Sequence, residues 1–294
     1  MSDLDVRLRL ERVLGTEIGE CRVIGGQHGV RHCRAALADG RVVFAKLGPE
    51  AAGGDAAGSS APGLAAEARG LRWLGEAGAV PVPEVVGWDE AALVISWVPA
   101  EGASREAAER FGRDLARMHA AGAEAFGAPW PGVIAGLPLP NDPGDSWPEW
   151  YAARRLLPYA RRARDAGSLT SADVRLIENV AARIPELAGP AEPPSRIHGD
   201  CWSGNVLWSG GQGWLIDPAA HGGHRETDLA MLDLFGAPFL ARILASYEEV
   251  APLAAGWRAR VPLHQLHPLL VHVCLFGTAY RPAALDAAAL AQAR

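Results

Sequence analysis

His198-Gly199-Asp200-Cys201-Trp202-Ser203-Gly204-Asn205 and, further on, Ile216-Asp217-Pro218 are the stretches around which the rest of this chain can be arranged. Asp200 and Asn205 stand five positions apart in a glycine-containing segment, so a tight turn brings both side chains to one cavity. Between the two stretches, Val206–Trp208 and Trp214–Ile216 read as the strands of a short ribbon. A hairpin returns the chain close to its start, so Asp217 reaches the same cavity. Amide and carboxylate oxygens are hard ligands suited to Mg²⁺. With Asn205 and Asp217 as ligands, Asp200 is free to accept a hydroxyl proton.

The 28 basic residues are 27 arginines and one lysine, Lys46, which ends the apolar run Val42-Val43-Phe44-Ala45-Lys46-Leu47. Either residue supplies surface charge, but a planar guanidinium often cannot replace a compact ammonium at a crowded phosphate. The lone lysine is therefore a candidate for chemistry. Glu67 lies 21 residues later, in the first turn of a helix read over Leu64–Ala77, and is placed to hold Lys46 by an ion pair. Singly, each residue has an ordinary reading. Asp200 and Asp217 cap turns, Glu67 is solvated near a helix N-terminus, and His198 is a packed support. Jointly they describe a phosphoryl-transfer site that works by positioning and electrostatics.

The 294 residues are 49% hydrophobic and 21% charged, a globular profile of two domains or one domain with two lobes. A net charge of −6 argues against a broadly basic nucleic-acid surface. No apolar run reaches the length of a membrane span, and the charged opening MSDLDVRLRLERVLG lacks the core of a signal peptide. Cys21, Cys33, Cys201 and Cys274 are scattered without a CxxC pair, which argues against zinc ribbons, thioredoxin-type chemistry and a disulfide scaffold. A soluble cytoplasmic protein is the expectation.

A helix is expected over Asp3–Leu14, then strands over Cys21–Ile24, His32–Leu37 and Arg41–Leu47. Gly25-Gly26 separates the first two strands, and Asp39-Gly40 is a hairpin signal between the next two. Gly48–Gly63 reads as a mobile loop. PVPEVVGW and AALVISWV add two strands, Ser104–Gly122 a helix, and Gly127–Trp147 a long Pro- and Gly-rich loop. Trp150–Ala166 and Ser171–Leu187 read as helices, as does most of the chain from Leu229 onward. This order predicts an α+β fold of two lobes, 1–98 and 99–294, joined near Val98–Glu101.

HGDCWSGN, LIDPA and GHRETDLAMLDLFG, with VVFAKL, AAEARGLRWL and the late LHQLHPLLVHVCLFG, resemble the fructosamine kinase (ketosamine-3-kinase) family. That family shares the protein-kinase-like fold with aminoglycoside phosphotransferases and choline kinases. The resemblance implies a small β-rich N-lobe, a larger mainly helical C-lobe, and ATP and Mg²⁺ as cofactors. It implies transfer of the γ-phosphoryl group to a sugar hydroxyl of a ketosamine or other glycated amine. Asp200 then resembles the catalytic base, Asn205 and Asp217 the Mg²⁺ ligands, and Lys46, paired with Glu67, the phosphate-binding lysine. Ser96 to Val98 resembles the hinge that meets adenine. Gly25 and Gly26 are placed at the nucleotide, Asp228 orders the catalytic loop, and Trp202 forms a wall for the sugar.

The sequence also departs from the pattern. GGQHGVRH is not a GxGxxG loop, Cys201 stands where the family usually has an aliphatic residue, and Ser96 where its hinge is often acidic. An aminoglycoside or other amino-sugar or amino-alcohol acceptor is the first alternative. A nucleotide-binding pseudokinase is the second, and intact Lys46, Glu67, Asp200, Asn205 and Asp217 argue against it. His221 and His224, flanking Gly222-Gly223, are read as lining the acceptor cleft. His264, His267 and His272 do not share one helix face and are read as packing or surface residues rather than a metal site.

Overall fold

The computed structural model describes residues 3–27, 29–49 and 62–293. Most of the loop expected over Gly48–Gly63 lies outside the described residues. Helix α1 (Asp3–Leu14) leads into strands β1 (Ile18–Gln27), β2 (Val30–Leu37) and β3 (Val42–Leu47). Helix α2 (Pro62–Gly75) and strands β4 (Val85–Trp88) and β5 (Ala92–Ser96) follow. The sheet order is β1-β2-β3-β5-β4, and every neighbouring pair is antiparallel.

Strand alternation gives this sheet two different faces. Cys33, Ala35, Val43, Ala45 and Leu47 pack with Val6 and Leu10 of α1. The other face carries Phe44, Leu93 and Ile95 against Leu64, Ala68 and Leu71 of α2. Lys46, two residues after Phe44, stands on this second face.

Two local expectations are corrected here. Gly25 and Gly26 lie within β1 and pair with β2 rather than forming the turn. The hairpin closes at Gln27↔Val30, and Gly29 takes the left-handed φ of 79° that a two-residue turn needs. Helix α2 starts at Pro62, whose missing N–H costs nothing in a first helical turn, so Glu67 sits in the second turn rather than the first.

The larger, mostly helical part begins with α3 (Arg105–Ala120), capped by Ser104 Oγ accepting from Ala107 N. Next come β6 (Gly132–Ile134) and β7 (Leu137–Leu139), a hairpin inside the segment read as a loop. The helix expected over Trp150–Ala166 is interrupted. It comprises α4 (Trp147–Tyr151), a π-helical turn over Ala152–Leu156, and α5 (Leu157–Asp165). Pro158 has no N–H for the Arg154 carbonyl, which accepts from Arg155 Nη1 at 3.2 Å instead. Helix α6 (Ser171–Leu187) opens on a Thr170–Asp173 capping box.

Short strands β8 (Ser195–Ile197), β9 (Val206–Ser209), β10 (Gln212–Leu215) and β11 (His221–Gly223) carry the loops of interest. Strand β9 pairs with β10, and β11 with β8. Helices α7 (Glu226–Leu234), α8 (Leu240–Val250), α9 (Trp257–Phe276) and α10 (Arg281–Gln292) complete the chain. No helix among the described residues is long and apolar enough to cross a membrane.

Candidate active site

The segment after β8 is held in shape by one buried carboxylate. Asp228 on α7 accepts from His198 N at 2.7 Å and Gly199 N at 2.9 Å, and lies 3.1 Å from His119 Nε2. Asp200 N–H donates to His198 Nδ1 at 3.2 Å, so the imidazole proton is on Nε2, which donates to Ile216 O at 2.8 Å. Gly199 takes a φ of 79°, and a β-carbon there would collide with the Ala219 carbonyl. The ribbon β9–β10 then delivers Asp217, whose φ of 54° is also left-handed.

Asn205 Nδ2 donates to the Asp200 carbonyl and to Asp200 Oδ2, both at 2.9 Å. This fixes the amide so that Oδ1 remains as an acceptor. Lys46 Nζ lies 2.9 Å from both Glu67 oxygens and 2.6 Å from Asp217 Oδ1. The five residues singled out from the sequence therefore converge in one place.

Their environments differ. Burial pushes the Asp200 carboxyl up to about 7; the Asn205 hydrogen bond opposes this, while Asp217 and Asp228 add to it. A carboxyl with that pKa is poised to take a proton near neutral pH. Burial works against the Lys46 ammonium, but Glu67 and Asp217 outweigh it and raise its pKa. Burial lowers that of His198 and keeps the imidazole neutral. Asn205 Oδ1 and the Asp217 carboxylate form an all-oxygen donor set, which fits Mg²⁺. Asp217 is 44% exposed, so an ion reaches it without unfolding anything.

A second group of metal-ligand types among the described residues, His224, Glu226 and His264, is buried. Arg260 already holds both Glu226 oxygens, at 2.8 and 2.5 Å, so this cluster is an internal ion pair. His264 and His267 are buried packing residues. The reading of His221 and His224 as cleft residues is corrected. Both are buried, His221 on β11 packing 5.4 Å from Trp150 and His224, just past its end, 4.9 Å from Trp147.

The cleft between the sheet and the helical part measures about 840 Å³. Lys46, Glu67, Asp200, Asn205 and Asp217 line it, and so does Trp202. The Trp202 ring sits 5.9 Å from Phe235 and lies over Gly204, where any β-carbon would strike it. Other lining residues were not assigned to the cleft from the sequence, among them His272, read there as a packing or surface residue. His32 on β2, the β6–β7 tip at Ala135-Gly136, and His272, Phe276 and Tyr280 all belong to it. The tip was signalled by Ala-Gly between two apolar pairs; the others carry no local signal.

Gly25, Gly26, Ser96 and Val98 stand outside this lining. Ser96 is tied to Glu84 by its N–H and by Oγ, both at 2.9 Å, and Trp97 N donates to Val42 O at 3.0 Å. Among the described residues the Val98 N–H has no hydrogen-bond partner. Phe44 and Trp97, with ring centroids 6.3 Å apart, share the Lys46 face of the sheet, and Arg34 lies over Trp97.

The family model for fructosamine kinase matches residues 22–291. The chain belongs to the fructosamine kinase family. It is 34% identical over 226 residues to a protein of Synechocystis sp. described as a probable ketoamine kinase, covering 74% of each chain. A solved Thermobifida fusca structure, described as a fructosamine-3-kinase, superposes with a TM-score of 0.93 at 53% identity, over 98% of this chain and 99% of that one. An aminoglycoside phosphotransferase with ADP bound shares the fold, with a TM-score of 0.62 at 14% identity, over 100% of this chain and 98% of that one. This fructosamine kinase family member is a phosphotransferase with the α+β architecture of that group.

Proposed function

We propose that this enzyme transfers the γ-phosphoryl group of ATP to a sugar hydroxyl of a ketosamine, of the fructosamine or ribulosamine type. The observation that carries the reading is the meeting of Asp200, Asn205 and Asp217 with the Lys46–Glu67 pair in one open cleft. Asp200 takes the hydroxyl proton as the sugar oxygen bonds to phosphorus and the bond to the β–γ bridging oxygen breaks, releasing ADP. Lys46, held by Glu67, neutralises phosphate oxygens. Asn205 and Asp217 would hold Mg²⁺, which supplies charge neutralisation at the phosphates. Trp202 offers a flat apolar face to sugar C–H groups and a quadrupole to the substrate ammonium. Family membership and the ketoamine kinase relatives support the acceptor class. A role in deglycation of proteins or amino acids follows from that acceptor.

The test is ATP turnover with a panel of ketosamines, aminoglycosides and amino alcohols, on the wild type and on Asp217→Asn. Ketosamine-dependent ADP release that vanishes in a folded Asp217→Asn supports the reading. Full activity in that variant removes Asp217 from the mechanism. Turnover of the other acceptors alone replaces the substrate class.

A further inference from the structure

One polar side chain in the cleft has no part in the reaction described above. His32 on β2 is the cross-strand partner of Lys46 on β3. Directly paired residues point to the same side of a sheet, so the imidazole stands beside the ammonium. It lines the same cleft. Phe44 braces it, with ring centroids 5.3 Å apart and planes tilted by 55°. Among the described residues neither ring nitrogen makes a hydrogen bond.

The neighbouring hairpin explains why a side chain is needed there. Protein loops that cradle phosphate do so with successive unpaired backbone N–H groups. Here β1 and β2 stay paired out to Gln27↔Val30, so the ladder runs nearly to the tip. A β-carbon on Gly26 would meet the Val30 carbonyl at 2.7 Å, which shows how closely the strands are pressed. Charge points the same way. Facing His32 are Lys46 from β3 and Asp217 from beyond β10. Glu67 on α2 and Asp200 line the same cleft, and Arg34, next on the same face of β2, is turned over Trp97. Lys46, with one positive charge, is already paired with two carboxylates, Glu67 and Asp217. Burial, then Lys46, hold the imidazole neutral against the pull of Asp217. A polyphosphate reverses that balance.

We propose that His32 binds the phosphates of the donor nucleotide, donating a hydrogen bond from its imidazole and taking up a proton from solvent as the nucleotide enters. This rests on the kinase reading above. His32 is a positioning residue for the donor, separate from the proton transfer at Asp200.

Calorimetry of Mg·ATP binding, in buffers of different ionisation enthalpy, tests it on wild type, His32→Gln and His32→Arg, with melting temperatures measured alongside. Wild-type affinity should rise about tenfold as pH falls from about 8 to about 6, with proton uptake. In His32→Gln the affinity should be about tenfold weaker at the lower pH, and part of the proton uptake should be lost. In His32→Arg the affinity should be restored but flat with pH. If His32→Gln does not fold, the flat profile of His32→Arg against the sloped wild type decides. Wild-type affinity and proton uptake in either folded variant would overturn the proposal alone. A wild type that binds no ATP would overturn the kinase reading, and this proposal with it.

Discussion

Lys46 and Asp217 stand 171 positions apart in the chain, yet Lys46 Nζ lies 2.6 Å from Asp217 Oδ1. One comes from the middle of the N-terminal sheet and the other from the end of the β9–β10 ribbon. Their ion pair crosses the cleft, and the Glu67 carboxylate closes it from α2 at 2.9 Å. The resulting group is compact, and its shape matters as much as its charge.

Lys46→Arg keeps the charge but cannot place one small ammonium between two carboxylates. We expect kcat/KM to fall by at least roughly 10²-fold, about 2.7 kcal/mol of transition-state stabilisation. Steady-state kinetics with saturating acceptor measure this. A wild-type rate would mean that the lone lysine is a compositional accident. Amine-directed reagents should label Lys46 slowly, because it is buried and its pKa is raised.

Gly204→Ala tests the Trp202 wall without touching the indole itself. The added methyl must displace the ring that lies over position 204. The variant should therefore reproduce Trp202→Ala, with ketosamine kcat/KM reduced and ATP affinity unchanged. A Gly204→Ala enzyme with unaltered ketosamine kinetics would separate the ring from the acceptor.

Asp228 supplies the acceptor for two backbone N–H groups that shape the catalytic segment. Asp228→Ala leaves both N–H groups buried without a partner, and we expect a loss of about 3–5 kcal/mol of stability. Chemical denaturation gives the value. Activity should fall even below the melting temperature, since His198 and Gly199 lose their anchor. An unchanged denaturation midpoint would contradict the role.

Five buried histidines make the protein acid-sensitive. Burial lowers the pKa of His198, His221, His224, His264 and His267, His221 to about 3. Unfolded histidines titrate near about 6.5, so below that pH the unfolded chain binds more protons than the native one. Their contribution to stability is fully present above about 6.5 and is lost as pH falls toward the folded values. Each costs about 1.4 kcal/mol per pH unit once the unfolded form is protonated. Denaturation midpoints at several pH values between neutral and mildly acid should fall steeply; a flat profile would place these rings in solvent.

Much of this architecture was legible in sequence because its signals are local. Ser171–Leu187 is bounded as expected because Thr170 and Asp173 cap it within one turn. Asp39-Gly40 marked the β2–β3 hairpin, and the five-residue spacing of Asp200 and Asn205 sufficed to place them in one turn. The lone lysine and Glu67 were found by composition and helical period, and the resemblance carried by the catalytic segment named the family. Other features depend on which way a strand faces, and neighbouring chain sets that. His32 became a cleft residue only through its register against Lys46. His221 and His224 are buried against Trp150 and Trp147, contacts far away in sequence of which their flanking glycines gave no sign. The turn moved past Gly25-Gly26 because the β1–β2 ladder gains more by running on to Gln27↔Val30 than by opening at the glycines. Spacing along the chain specifies which residues form an element and which neighbours share a turn. Which side chains meet across the cleft is decided by long-range pairing and burial, energies that exist only once the whole chain has packed.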